Sequence, residues 1–442
     1  MNQPRSGQAP DTAWQIQTLA DSAKRLAERG DTRDAEGVYR QILEIAPYHI
    51  RALNFLAVQT MLRGELDASQ GYLEQALRAA PERPILHKNL AIVLQARGEL
   101  EKSLAAVDRA IALRPDLSVA YLHRGDMLDT LGRKDEALLA YWQAWRGIPN
   151  PEMLTGEEMV PPVLRGLLIR AAESLRGAQS QLMMDGLAPV IERHGKQALQ
   201  RVLDAVDVHL GLVRNPHQHA LQRPTFIFLP GLTPQAFFDR AEFPWVKRLE
   251  AATGAIKEEL STVLASGEGL RPYVEVPEGI DAQQWKVLNG SPAWSILQFS
   301  KGGTRNQDNR KRCPKTTAAL DALPMPELPG HAPEAMYSIL KPGTDVPPHF
   351  GLGNYKLAVH LPLQVPRDCA IRVGNETRSW VEGECLIFDD SFQHEAWNRS
   401  DEDCAVLLVE VWNPAVTEAE REGITVLVEA IAAFNTKYRP AA

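Results

Sequence analysis

Lys356–Val365 reads KLAVHLPLQV. In an extended chain successive side chains point to opposite faces. Leu357, Val359, Leu361 and Leu363 therefore share one face, and Ala358 and His360 share the other. That alternation predicts a strand with an apolar face in a core. Further apolar runs lie C-terminal to it. Ala370–Val373 leads into a Gly374–Asn375 turn signal, and Glu384–Phe388 and Ala405–Val411 follow. Short strands separated by turn signals predict a β-sandwich or barrel. Helical spacing over Glu242–Leu264 and Glu418–Thr436 predicts helices packed outside it.

Two histidines flank these strands. His349 follows Pro347–Pro348, just ahead of Lys356, and His394 lies in FDDSFQHEAWN, Phe388–Asn398. Separated strand ends can meet at one mouth of a barrel. Neutral imidazoles suit ferrous iron, which usually takes two histidines and a carboxylate with open positions left for reactants. The carboxylate commonly stands two residues after the first histidine, where this chain has Gly351. Spacing alone therefore leaves both an iron site and two packed histidines open. By its place on the strand alone, His360 reads as a satisfied core histidine. Asp389 and Asp390 read as turn caps or as supports for a ligand.

The first third of the chain has a different texture. Gly30, Gly64, Gly98 and Gly132 step by 34 residues, as do Pro47, Pro81, Pro115 and Pro149. Two small series keep the same step: Ala23, Ala57, Ala91, Gly125; and Ala35, Ser69, Ser103, Ala137. Tyr39, Leu73, Val107 and Tyr141 form a large apolar series. Small residues let antiparallel helices approach, glycine takes a positive φ in the turn, and proline closes the second helix. The spacing resembles tetratricopeptide repeats over residues 16–151. It implies an all-α solenoid whose groove docks a peptide or protein partner, or else a scaffold.

The remaining features bound the function. The chain has 442 residues, 44% hydrophobic and 24% charged, with net charge -8. That balance argues against coating nucleic acid. Arg305–Lys315 is a local basic run and reads as a solvated loop. The four cysteines, Cys313, Cys369, Cys385 and Cys404, form no C-x-x-C pair, so neither a zinc knuckle nor a disulfide scaffold is expected. No signal-like segment or membrane-length apolar run is evident, which predicts a cytoplasmic protein with no membrane span. Residues 1–15 read as a tail and 152–222 as a helical linker or cap, with Met183–Met184 as core.

Residues 223–430 resemble the aspartyl/asparaginyl β-hydroxylases. The matching pieces are YSILKPGTDVPPHFGLGN, LAVHLPLQVP, IRVGNETRSWVEGECLIFDDSFQHEAWN and VLLVEVWNP, with RPTFIFLPGL upstream. The resemblance implies a double-stranded β-helix (jelly-roll or cupin-like) domain with flanking helices over residues 223–442. It also implies an Fe(II)- and 2-oxoglutarate-dependent dioxygenase that hydroxylates a C–H bond. The implied target is the β-carbon of Asp or Asn in a peptide brought by the repeats. Members bind iron through two histidines with glycine at the carboxylate position. His349 and His394 thus become the implied catalytic iron ligands, and His360 and Ser338 contacts for 2-oxoglutarate. Trp294 aligns near the substrate cleft.

Two positions depart from the pattern. An arginine usually stands ten residues after the second histidine to grip the distal carboxylate of 2-oxoglutarate; this chain has Cys404. Arg399, Lys356, Arg372 and Arg378 are the candidate replacements, with Arg399 the candidate cofactor-binding residue. Ala358 stands where animal members carry a basic residue near the substrate. The alternative reading is a catalytically impaired scaffold in which the repeats do the work as a binding module.

Overall fold

The computed structural model describes residues 12–146, 162–215, 219–276 and 282–438. Contacts divide the chain into two units, Met1–Ala178 with Lys437–Ala442, and Gln179–Thr436. The division falls inside the segment 152–222.

Four helix pairs build the first unit: α1 (Thr12–Glu28) with α2 (Thr32–Ile45), α3 (Ile50–Leu62) with α4 (Leu66–Ala79), α5 (Pro84–Ala96) with α6 (Leu100–Leu113), and α7 (Ser118–Thr130) with α8 (Lys134–Arg146). The 34-residue series explains the packing. Every member of the two small series and the large apolar series is buried. Ser69 and Ser103 donate from Oγ to the carbonyls of Ala57 and Ala91, at 2.7 and 2.6 Å, tying the two helices of a pair. The glycines at the turns hold φ between +75° and +85°, which other residues adopt only under strain. Pro47, Pro81 and Pro115 follow α2, α4 and α6, and Pro149 lies outside the described residues.

The long helix α9 (Pro162–His194) carries Met183, Leu187 and Val190 into a core shared with α10 (Gln200–His209) and α15 (Glu418–Tyr438). Met183 is buried there, while Met184 is exposed. A 3-10 turn at Lys196–Leu199 leads into α10.

Among the described residues of the second unit, twelve strands form two antiparallel sheets. They are β1 (Phe237–Phe238), β2 (Arg271–Pro272), β3 (Trp294–Lys301), β4 (Thr304–Arg305), β5 (Ala335–Leu340), β6 (Thr344–His349), β7 (Lys356–Gln364), β8 (Cys369–Val373), β9 (Glu376–Ser379), β10 (Leu386–Phe388), β11 (His394–Asn398) and β12 (Cys404–Trp412). The larger sheet runs β1-β10-β7-β12-β5-β3-β2, with β4 beside β3; the smaller runs β6-β11-β8-β9.

Alternation assigns the faces. Leu357, Val359, Leu361 and Leu363 of β7, with Leu407 and Val409 of β12, enter a core shared with α11 (Val246–Ala251) and α12 (Thr253–Ser266). The other face of the larger sheet meets the smaller one: Leu340, Ala358, Cys404 and Val406 pack with Val346, Ile371 and Val373. The predicted helix Glu242–Leu264 is thus two helices. The basic run Arg305–Lys315 is not a loop either. It folds into α13 (Gln307–Arg312) and the start of α14 (Pro314–Leu320), capped by the Asn306 side chain on Asn309 N–H. Four of its five basic side chains are in ion pairs, Arg305–Glu327, Arg310–Asp321, Arg312–Glu268 and Lys315–Glu258.

Candidate active site

The space between the sheets is a cavity of about 320 Å³. Its wall includes Ser338, His349, Gly351, Lys356, His360, Asp390, His394 and Cys404. Residues separated by up to 66 positions therefore meet at one place.

His349 ends β6 and His394 begins β11. The two are direct cross-strand partners, with ring centroids 4.1 Å apart. β6 carries Pro347 and Pro348, which a central strand would not tolerate, but β6 is the edge of its sheet. Each histidine uses Nδ1 on a backbone carbonyl two residues earlier, His349 on Pro347 and His394 on Phe392, both at 2.9 Å. Donation from Nδ1 fixes the ring and leaves Nε2 as a lone-pair donor. Burial lowers the pKa of both; for His349, pushed down to about 4, the neighbouring His394 adds to the effect. Both rings are therefore neutral near pH 7.

Gly351 is required by its neighbour. A Cβ there would stand 2.3–2.5 Å from the carboxylate atoms of Asp390. Asp390 thus fills the space a side chain at 351 would take, and the Gly351 N–H donates to the Asp390 carbonyl at 2.7 Å. Asp390 Oδ1 has no partner. Asp389 behaves differently: it accepts from Gln222 Nε2 and Ser391 N–H, both at 2.9 Å, and burial pushes its carboxyl up to about 7. The upstream segment Arg223–Thr225 braces the turns at Gly351 and Ser391, with Thr225 N–H donating to the Gly351 carbonyl and Arg223 N–H to the Ser391 carbonyl.

His360 points from β7 into the cavity, 4.9 Å from Phe388 and 5.7 Å from Trp380 between ring centroids. Its Nδ1 is buried without a partner, and burial, then His394, push its pKa down to about 3. Ser338 is buried on β5 and accepts from Trp294 Nε1 at 2.9 Å. Trp294 is thus part of the inner wall beside Ser338.

Arg399 is not brought in. Along β11, His394 and Ala396 line the cavity, and the odd-numbered neighbours point away from it. Arg399 follows in the outward series: it is exposed, paired with Asp345 at 3.2 Å and laid over the Trp397 ring. The assignment of Arg399 to cofactor binding is corrected accordingly.

Lys356 is the cation in the cavity wall. It is 1% exposed and bonds Glu410 and Asp390, the latter at 3.2 Å. Burial alone would lower its pKa, but the two carboxylates hold it well above the ordinary lysine value. Burial also pushes Glu410 up to about 6, against the pull of Lys356. Sequence reading names Lys356 only as a stand-in for the missing arginine and does not see Glu410. The parity signal was available, since residues 356, 358 and 360 share one face. Among the described residues no group of three or more His, Cys, Asp or Glu side chains forms a metal cluster, and no helix is long and apolar enough to cross a membrane.

A family model described as Aspartyl/Asparaginyl beta-hydroxylase matches residues 250–414. The chain is 35% identical over 185 residues to an ornithine lipid ester-linked acyl 2-hydroxylase of Rhizobium tropici, covering 41% of this chain and 62% of that protein. It is 35% identical over 183 residues to aspartyl/asparaginyl beta-hydroxylase of Homo sapiens, covering 41% and 24%. Aspartate beta-hydroxylase domain-containing protein 2 of Mus musculus is 33% identical over 213 residues, covering 47% and 59%. The chain spans less than two thirds of the length of each of these relatives. Among solved structures, YrrB, described as a TPR protein with an unusual peptide-binding site, is 20% identical, covering 36% of this chain and 84% of that one at a TM-score of 0.29. The MamA protein is 19% identical, covering 47% and 97% at a TM-score of 0.32. Residues 250–414 are therefore the part of this chain that is similar in sequence to the aspartyl/asparaginyl β-hydroxylases.

Proposed function

We propose that the second unit is an iron(II)-dependent oxygenase that uses a 2-oxo acid to hydroxylate a C–H bond. The observation that carries this reading is the His349–His394 pair. Two neutral imidazoles face one gap, each with Nδ1 committed to a backbone carbonyl. Such a pair fits a ferrous ion, and the unpartnered Oδ1 of Asp390 lies in the same cavity wall. In this reading the two sheets are the walls of a double-stranded β-helix. Bound iron supplies oxygen activation, with the balance R–H + O2 + 2-oxo acid giving R–OH + CO2 + the acid shortened by one carbon.

The chain's own residues do the rest. The backbone carbonyls of Pro347 and Phe392 hold the two ligand rings. His360 offers its buried Nδ1 to the carboxylate end of the cosubstrate, and the apolar walls exclude water. 2-Oxoglutarate is the cosubstrate the resemblance implies. The family's named action on aspartyl and asparaginyl residues makes a peptide side chain the proposed target, presented by the helical repeats. One cation, Lys356, and three carboxyl groups, Glu334, Asp390 and Glu410, share the cavity wall, a balance that suits the uncharged amide of Asn better than the carboxylate of Asp. We place the protein in the cytoplasm, with no role on nucleic acid.

The test is iron content. Wild-type protein should take up one ferrous ion per chain anaerobically, and His349→Ala and His394→Ala should each lose it. Full retention by both variants would remove the ligand assignment. It would leave the repeat-borne binding module as the better account.

A further inference from the structure

The oxygenase reading leaves open which 2-oxo acid the cavity takes, and its two ends differ in chemistry. The end near the histidine pair is polar, with the unpartnered Nδ1 of His360. The opposite end is built from Trp294, Leu340, Val346, Ile371, Cys404 and Val406, all in one buried apolar cluster. Its register is set by β12: Leu408 pairs with His360, Val406 with Ser338, and Cys404 with Leu340. The row of Ser338 is thus two residues from that of His360, roughly 7 Å along the strand. Ser338 Oγ is the polar side-chain group there, and it already accepts from Trp294.

A carboxylate at that end would need a cation, because an isolated buried charge is strongly disfavoured. Cys404 supplies none: burial, reinforced by Cys369, raises its thiol pKa, so it stays neutral. The candidate replacements are spent elsewhere. Arg372 pairs with Glu395 at 2.9 Å, Arg378 with Glu376 at 3.0 Å, Arg399 with Asp345, and Lys341 with Asp403 at 2.6 Å; none lines the cavity. Lys356 does line it, but its backbone pairs with Trp412. That row is six residues from the row of Ser338, roughly 20 Å of strand. Its ammonium is also held by Asp390 and Glu410.

We infer that the cosubstrate of this protein is a 2-oxo acid with an uncharged, apolar far end, and that 2-oxoglutarate is a poor fit. The inference rests on the oxygenase reading above. Cys404 is the specificity-determining residue, because its side chain closes the end of the cavity where a second carboxylate would lie.

The test is anaerobic titration calorimetry of the full-length iron(II)-loaded protein with two probes. They are 2-oxoglutarate and 5-methyl-2-oxohexanoate, in which an isopropyl group replaces the far carboxylate. The expected result is at least about tenfold tighter binding of the isopropyl probe, a difference of about 1.4 kcal/mol. Cys404→Arg should reverse the order. Equal or tighter binding of 2-oxoglutarate by the wild type overturns the inference and leaves the oxygenase reading standing. Iron uptake with no binding of either probe overturns both. Where Cys404→Arg does not fold, the wild-type ratio alone decides.

Discussion

Lys356→Met should unsettle the second unit more than any surface change, and the effect should depend on pH. The ammonium is almost fully buried, and its partners Asp390 and Glu410 have side chains 15% and 8% exposed. Methionine matches the lysine stem in volume, so packing is conserved while two carboxylates lose their counter-charge. Removing one partner of a buried ion pair costs about 3–5 kcal/mol. Part of that loss is recoverable by protonation. Burial already holds the Glu410 carboxyl at about 6, above the ordinary glutamate value. Its ionised form thus costs stability as the pH rises through 6, and below that it takes up a proton. The full loss is expected at pH 8 and a smaller one at pH 5. Urea denaturation followed by tryptophan fluorescence reads it, since six of the nine tryptophans lie between Trp245 and Trp412. Adding Glu410→Gln to Lys356→Met should recover much of the deficit. A loss under about 1 kcal/mol at pH 8, the range of an exposed pair, would refute the reasoning, as would equal losses at both pH values.

Other perturbations probe the supports of the site and the repeats. Burial raises the Asp389 carboxyl to about 7, so the folded state binds a proton that the unfolded chain releases near the ordinary aspartate value. Stability should therefore fall as the pH rises from 4 to 7, by at most about 1.4 kcal/mol per pH unit from this group. Asp389→Asn should flatten that slope in a series of thermal melts; an unchanged slope would reject the assignment. Gly351→Ala places a methyl group against the Asp390 carboxylate and should cost about 1–3 kcal/mol. The cost should shrink in an Asp390→Ala background, and strict additivity in denaturant titrations would count against the contact. In the repeats, a Cβ on Gly125 would meet the Tyr141 ring at 2.4 Å. Gly125→Ala should therefore lower the helical melting temperature although alanine is the better helix former; a rise would show that Tyr141 repacks freely.

The parts of this structure that sequence displays are those set by local periodicity. The 34-residue series and the alternation of β7 each encode a buried face directly, and both faces are buried as expected. β6 escapes notice because Pro347 and Pro348 read as loop until the strand is known to be an edge. The short helices α13 and α14 escape because six or seven residues give too little period to register. The Lys356–Glu410 pair joins positions 54 residues apart and exists only once β7 and β12 are neighbours. Strand parity then decides the question that motif spacing raises but does not answer. Cys404, Val406, Leu408 and Glu410 of β12 all line the cavity. Any side chain at 404 must therefore enter its inner end, and the charge of that one residue sets the charge of the ligand. Arg399 belongs to the outward series beyond β11 and makes its ion pair in solvent. A cation five residues away in sequence thus does not substitute for one at 404, however close the two look on the page.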